Sequence, residues 1–134
     1  PGPTIKVYRP GPPPEYSVGW MEVDAPSEIP AGKTVTIPVA LRNAGSFPWA
    51  HDGYTPVRVG YRWLDLAGRE VAAPELRTPL PHDVEPGGEV SLSLAVAPPQ
   101  VAGSYTLRMD VVLENFAWFS AKGAATRDVA VIVK

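Results

Sequence analysis

The chain has no cysteine, only two histidines and two methionines, and no net charge of any size. Without cysteine there is no disulfide framework, no thiolate metal centre and no cysteine nucleophile. Twelve basic and 14 acidic residues leave a net charge of −2. That balance lacks the basic stripe a polyanion requires, so nucleic acid is not an expected ligand. The longest apolar stretches, such as Val129 to Val133, fall far short of the roughly 20 residues a membrane-crossing helix needs. Direct membrane insertion is therefore not expected. Long helices are disfavoured as well, because 17 prolines and 12 glycines remove backbone donors and raise the entropic cost of a helical backbone.

What remains is strand and turn. A chain of 134 residues that is 45% hydrophobic is long enough for one domain with a real core. It begins at Pro1 with neither a methionine nor a secretion signal, which predicts a piece of a longer protein. Residues 1–14 contain six prolines and only Ile5, Val7 and Tyr8 as apolar side chains, the composition of an extended proline-rich tether. The folded domain is expected over residues 15–134.

Within it, hydrophobic side chains alternate with the period of two that marks half-buried strands. Tyr16, Val18 and Trp20 form the first such set, and Pro26 to Gly32 follows as a turn. Val35, Ile37, Val39 and Leu41 share one face of the next strand, in which Pro38 predicts an edge position or a bulge. Val57, Val59, Tyr61 and Trp63 form a third face, with Arg58, Gly60 and Arg62 opposite. Arg69 to Leu80 reads as one or two short, weak strands. Val90, Leu92, Leu94 and Val96 then point inward, as do Tyr105, Leu107, Met109 and Val111, and finally Val129, Val131 and Val133. The entries Pro30-Ala31-Gly32 and Pro86-Gly87-Gly88 echo each other and predict that the strands they open are neighbours in one sheet.

About seven to eight short strands, with turn signals roughly every 8 to 12 residues, predict an all-β, immunoglobulin-like antiparallel β-sandwich. Trp63 falls on the third main strand, where such sandwiches bury a tryptophan, and Tyr105 lies near the start of the penultimate one. Leu107 occupies the slot that holds cysteine in disulfide-bonded relatives, so packing is expected to replace the bridge.

The phrases Asn43-Ala44-Gly45-Ser46-Phe47-Pro48-Trp49, Gly60-Tyr61-Arg62-Trp63 and Pro98-Pro99-Gln100-Val101-Ala102-Gly103-Ser104-Tyr105-Thr106-Leu107 resemble the four-tryptophan (FW, Nbr1-type) immunoglobulin-like domain over roughly Trp20 to Lys134. Tyr61-Arg62-Trp63-Leu64-Asp65, Arg77-Thr78-Pro79-Leu80-Pro81 and Trp118-Phe119 are similar to sandwich domains appended to bacterial glycosyltransferases and other surface-polysaccharide enzymes. The first resemblance implies a non-catalytic domain that makes protein contacts. The second implies an accessory domain of a bacterial glycan-processing enzyme. The sequence leaves the compartment undetermined, and an extracytoplasmic or membrane-associated location would come only through the parent protein.

Chemistry-bearing clusters are sparse. His51 and His82 are each followed by an aspartate, a step that can orient an imidazole or contribute metal ligands. Both steps lie in turn-like segments without a third ligand or a nucleophile nearby in sequence, so no catalytic residue, metal or cofactor is expected. Asp110 and Glu114 flank a strand end and read as solvated acids rather than a glycosidase pair, which would need an apolar pocket and a facing partner. Arg58, Arg62 and Arg108 are expected to pair across strands with acids such as Asp110.

Two loops concentrate the aromatic rings, Phe47 to Tyr54 and Phe116 to Phe119. In immunoglobulin-like topology these connect the second to the third main strand and the last two strands, and they meet at one end of the sandwich. The candidate surface is Phe47, Trp49, His51, Tyr54, Phe116, Trp118 and Phe119. Either these rings anchor a ligand, or Trp49, Trp118 and Phe119 cap the core and leave Phe47, His51, Tyr54 and Phe116 at the rim. The expected role is a non-catalytic interaction or spacer domain contacting a protein partner or a neighbouring domain of the same chain. A carbohydrate-binding accessory domain is the alternative, with a glycan as ligand.

Overall fold

The computed structural model describes residues 12–134. Most of the segment expected to be a proline-rich tether lies outside the described residues, and Pro12, Pro13 and Pro14 are exposed without regular structure. The alternating segments form two facing sheets. The first has the order β1 (Val18–Val23), β3 (Val35–Asn43), β7 (Glu89–Val96). The second runs β2 (Glu28–Ile29), β10 (Arg127–Val133), β8 (Gly103–Leu113), β4 (Val57–Leu64), β5 (Glu70–Val71). Two further short strands attach to it: β6 (Thr78–Pro79) pairs with β4, and β9 (Ala117–Trp118) pairs with β8.

The inward rows meet between the sheets. Ile37, Val39, Leu41, Val90, Leu94 and Val96 pack toward Val59, Trp63, Leu107, Met109, Val111 and Val131, all of them buried. At about 1.5–3 kcal/mol for each large apolar side chain removed from water, this layer is the main favourable contribution to the fold. The Trp63 ring lies edge-on to Tyr61 and Tyr105, at 6.5 and 6.1 Å between centroids, and its Nε1–H donates to the Ala97 carbonyl at 2.8 Å. Tyr105 donates its hydroxyl to the Val101 carbonyl at 2.6 Å, four residues upstream, the corner that immunoglobulin-like sandwiches build at this strand. Leu107 is fully buried in the slot a cysteine would occupy.

The neighbouring strands opened by the two echoing turns are β3 and β7, paired from Val35↔Val96 to Arg42↔Glu89. Three features depart from the sequence reading. β2 falls in a segment expected to be only a turn, and it pairs in parallel with β10, so the sandwich is not antiparallel throughout. Its pairing includes Ile132 N–H to the Ser27 carbonyl at 2.8 Å, Lys134 N–H to the Ile29 carbonyl at 2.9 Å and, just beyond it, Ala31 N–H to the Lys134 carbonyl at 2.8 Å. A two-residue strand has no periodicity to read; only the partner brought from the chain's far end defines it.

Pro38 lies in the central strand of its sheet rather than at an edge. Its carbonyl accepts Asp24 N–H at 3.0 Å just past the end of β1, so the proline's missing donor faces the place where that ladder stops. The nearby irregularity falls on the partner, between Trp20 and Glu22. The third departure concerns the charged face. Arg108 pairs with Asp128, directly across from it on β10, through two contacts of 3.0 Å. Asp110 is buried instead.

Candidate functional site

The second aromatic loop and the first meet at one end because buried polar groups hold both in place. Asn43, fully buried at the end of β3, donates through Nδ2 to the carbonyls of Phe47 and Val84 at 2.8 and 2.9 Å, and its Oδ1 accepts Gly45 N–H at 3.0 Å. A Cβ at Gly45 would stand 2.3 Å from the Glu15 carbonyl oxygen, which excludes every other residue there. Trp49 exchanges both backbone hydrogen bonds with Val84, at 2.8 and 2.9 Å. In the second loop the Asp110 carboxylate accepts Val111 N–H at 2.8 Å, Ser120 N–H at 3.3 Å and the Ser120 hydroxyl. Asp110 is therefore a buried clamp on the turn Phe119–Lys122, not a solvated acid. Glu114 is also engaged: it accepts Arg77 Nη1 at 2.7 Å and lies 3.8 Å from Arg58. The sequence pattern does not reveal these roles, since both acids sit among outward-facing polar positions.

Four rings fill the end of the core. Phe119 is edge-on to Tyr16 at 5.1 Å and to Trp49 at 5.8 Å, and Phe47 lies 5.0 Å from Tyr16 and 6.0 Å from Phe119. Trp49 and Phe119 are fully buried and Phe47 is half-buried. Tyr16 joins this end from outside both loops; its alternation with Val18 and Trp20 marks it as inward but carries no sign of which rings it meets.

Trp118 does not join them. Trp118 ends β9 and lies across the outer surface of β4, whereas Phe119 opens the turn Phe119–Lys122 and is carried inward. A Cβ at Gly60 would come within 2.9 Å of its Cη2. The guanidinium carbons of Arg62 and Arg77 stand 5.0 and 4.8 Å from the ring centroid, within the range of cation–π attraction.

The exposed rim carries Tyr54 and Phe116, 83% and 64% exposed. Asn115, with φ at 63°, donates Nδ2–H to the Tyr54 carbonyl at 2.7 Å and so fastens one loop tip to the other. Lys122 Nζ lies 5.2 Å from the Phe116 ring centroid.

His51 sits on the same end. Its backbone N–H donates to Asp83 Oδ1 at 2.9 Å, its Nδ1 contacts the same carboxylate, and its Nε2 is 3.6 Å from Asp52 Oδ2. The hydrogen bond to Asp83 raises the His51 pKa above its ordinary 6.5, with Asp52 adding to the effect, and the same contact lowers that of Asp83. The two His–Asp steps of the sequence, read as separate turns, are thus joined. His51 and Asp52 occupy a bend rather than a strand, and the Trp49–Val84 bridge delivers Asp83. His82 points away, with Nδ1 2.8 Å from the Asp83 carbonyl.

Neither a protein-family model nor a curated protein matches the chain. Among solved structures, the CARDB domain of PF1109 from Pyrococcus furiosus is 18% identical over 90% of this chain and 94% of that one, with a TM-score of 0.50. A region of the alkylpurine DNA glycosylase AlkC from Pseudomonas fluorescens, solved bound to DNA containing an abasic site analog, is 11% identical over 88% of this chain and 30% of that one, with a TM-score of 0.51. At such identities the likeness is one of fold, and the fold is that of an immunoglobulin-like β-sandwich.

Proposed function

We propose that this chain is a non-catalytic accessory domain of a larger protein and that it contacts a protein partner, or a neighbouring domain of its own parent, through the loop end. The observation that carries this reading is the pair Tyr54 and Phe116, exposed side chains on two loops tied together by Asn115. Large rings on a rigid frame anchor protein interfaces, because little side-chain and loop entropy is lost when they dock. The frame is the buried ring cluster and the Asn43 and Asp110 clamps. A glycan reading would lean on Trp118. That ring already has two guanidinium groups close to it, which favours Tyr54 and Phe116 as the contact residues.

Hydrogen exchange in the parent protein tests the reading. Residues around Tyr54 and Phe116 should exchange more slowly in the parent than in the isolated domain, and the double substitution Tyr54→Ala with Phe116→Ala should remove that protection while leaving the melting temperature unchanged. Equal exchange in both contexts contradicts a docked loop end. Retention of the isolated domain on a polysaccharide, abolished by Trp118→Ala, would establish the carbohydrate-binding alternative instead.

A further inference from the structure

We propose that His51 and Asp52, backed by Asp83, form a binding site for a transition-metal ion of the zinc type. The proposal does not depend on the loop-end contact, since neither Tyr54 nor Phe116 takes part. Among the described residues, these three are the His, Asp and Glu side chains whose ligand atoms all lie within 4.8 Å of one another.

The ring's setting decides which nitrogen is available. Nδ1 faces the Asp83 carboxylate, so in the neutral imidazole it carries the proton and Nε2 presents its lone pair. A carboxylate behind a metal-binding histidine fixes the tautomer and raises the basicity of the ligating nitrogen. Nε2 in turn lies 3.6 Å from Asp52 Oδ2. An ion about 2.0–2.1 Å from nitrogen and about 2.0–2.2 Å from oxygen, at a tetrahedral angle, holds those two atoms about 3.4 Å apart. The observed separation therefore accepts the ion after a movement of a few tenths of an ångström.

The position is held from the backbone. Val57 N–H donates to the Ala50 carbonyl at 2.7 Å, and Trp49 and Val84 fix the base of the loop against the segment bearing Asp83. Two carboxylates around one neutral imidazole leave a local negative charge that attracts a cation. A nitrogen and carboxylate donor set suits Zn²⁺ or Ni²⁺, whereas Ca²⁺ and Mg²⁺ prefer oxygen ligands throughout. With two side chains as ligands and the ring and carboxylate partly exposed, water completes the coordination and the affinity is modest.

The competing state is a proton. When Nε2 is protonated, the imidazolium bridges the two aspartates as a simple ion pair, and Zn²⁺ must displace that proton. Titration of the chain with ZnCl2 at slightly alkaline pH, followed by calorimetry and by the His51 ring resonances, separates the two states. The expected result is saturable single-site binding that shifts Nε2, is abolished by His51→Gln, and is weakened about 10- to 100-fold by Asp83→Asn. Asp52→Asn should also weaken it, His82→Gln should not, and MgCl2 should give no matching shift. Circular dichroism checks that each variant is folded, which their exposed positions favour. Absence of saturable binding at millimolar Zn²⁺, or binding undiminished in folded His51→Gln, overturns the proposal.

Discussion

Trp118 and Phe119 are consecutive residues with opposite fates. Phe119 is sealed among Tyr16, Phe47 and Trp49, while Trp118 lies on the outer surface against Gly60, Arg62 and Arg77. One loop therefore does two jobs: it closes the core, and it covers the edge-proximal face of β4. A count of rings in a loop says nothing about which of these a given ring does. The end of β9 at Trp118 and the turn Phe119–Lys122, held by Asp110, decide it.

Substitutions can break this division. Trp49→Ala should have the largest effect, a loss of about 3–5 kcal/mol as expected for truncating a buried large aromatic ring, read as a lower midpoint in urea unfolding. Gly60→Ala should come next, costing about 1–3 kcal/mol by pushing a new methyl group into the Trp118 ring. Its signature is a change in tryptophan fluorescence. Trp118→Ala should cost about 1–2 kcal/mol, the sum of two partly exposed cation–π contacts, and should leave the buried ring cluster unchanged by NMR.

The smallest expected effect is on pH dependence. In metal-free buffer the His51–Asp83 contact contributes stability because it raises the His51 pKa above 6.5 and lowers that of Asp83 below its ordinary 3.8. The His51 contribution is fully present below about pH 6.5 and fades as pH rises through the elevated folded value. The Asp83 contribution is present above about pH 3.8 and is lost as pH falls through the depressed one. Melting temperatures of the parent chain should therefore exceed those of Asp83→Asn most clearly between these limits, and the two should converge on either side.

Much of the sandwich was legible because period-two alternation is written locally. Val35 to Leu41, Val57 to Trp63 and Tyr105 to Val111 each show their inward face without help from the rest of the chain. β2, the central position of Pro38 and the burial of Asp110 were not legible, since each depends on a partner outside its own segment: β10, the end of β1, and Ser120. The site divides the same way. That the two aromatic loops share an end follows from topology, but the separation of Trp118 from Phe119 depends on the turn held by Asp110 and Ser120, and the meeting of His51 with Asp83 on the loop path set by Asn43 and the Trp49–Val84 bridge. Turn-rich polar segments carry no periodicity from which such paths can be read.

The most direct test of the division between buried frame and exposed rim compares Phe119→Ala with Phe116→Ala in equilibrium unfolding of the same chain. Phe119 is fully buried and Phe116 is 64% exposed. The expected result is a loss of about 3–5 kcal/mol for Phe119→Ala and a change within about 0.5 kcal/mol for Phe116→Ala. Equal losses for the two, or a larger loss for Phe116→Ala, would contradict it.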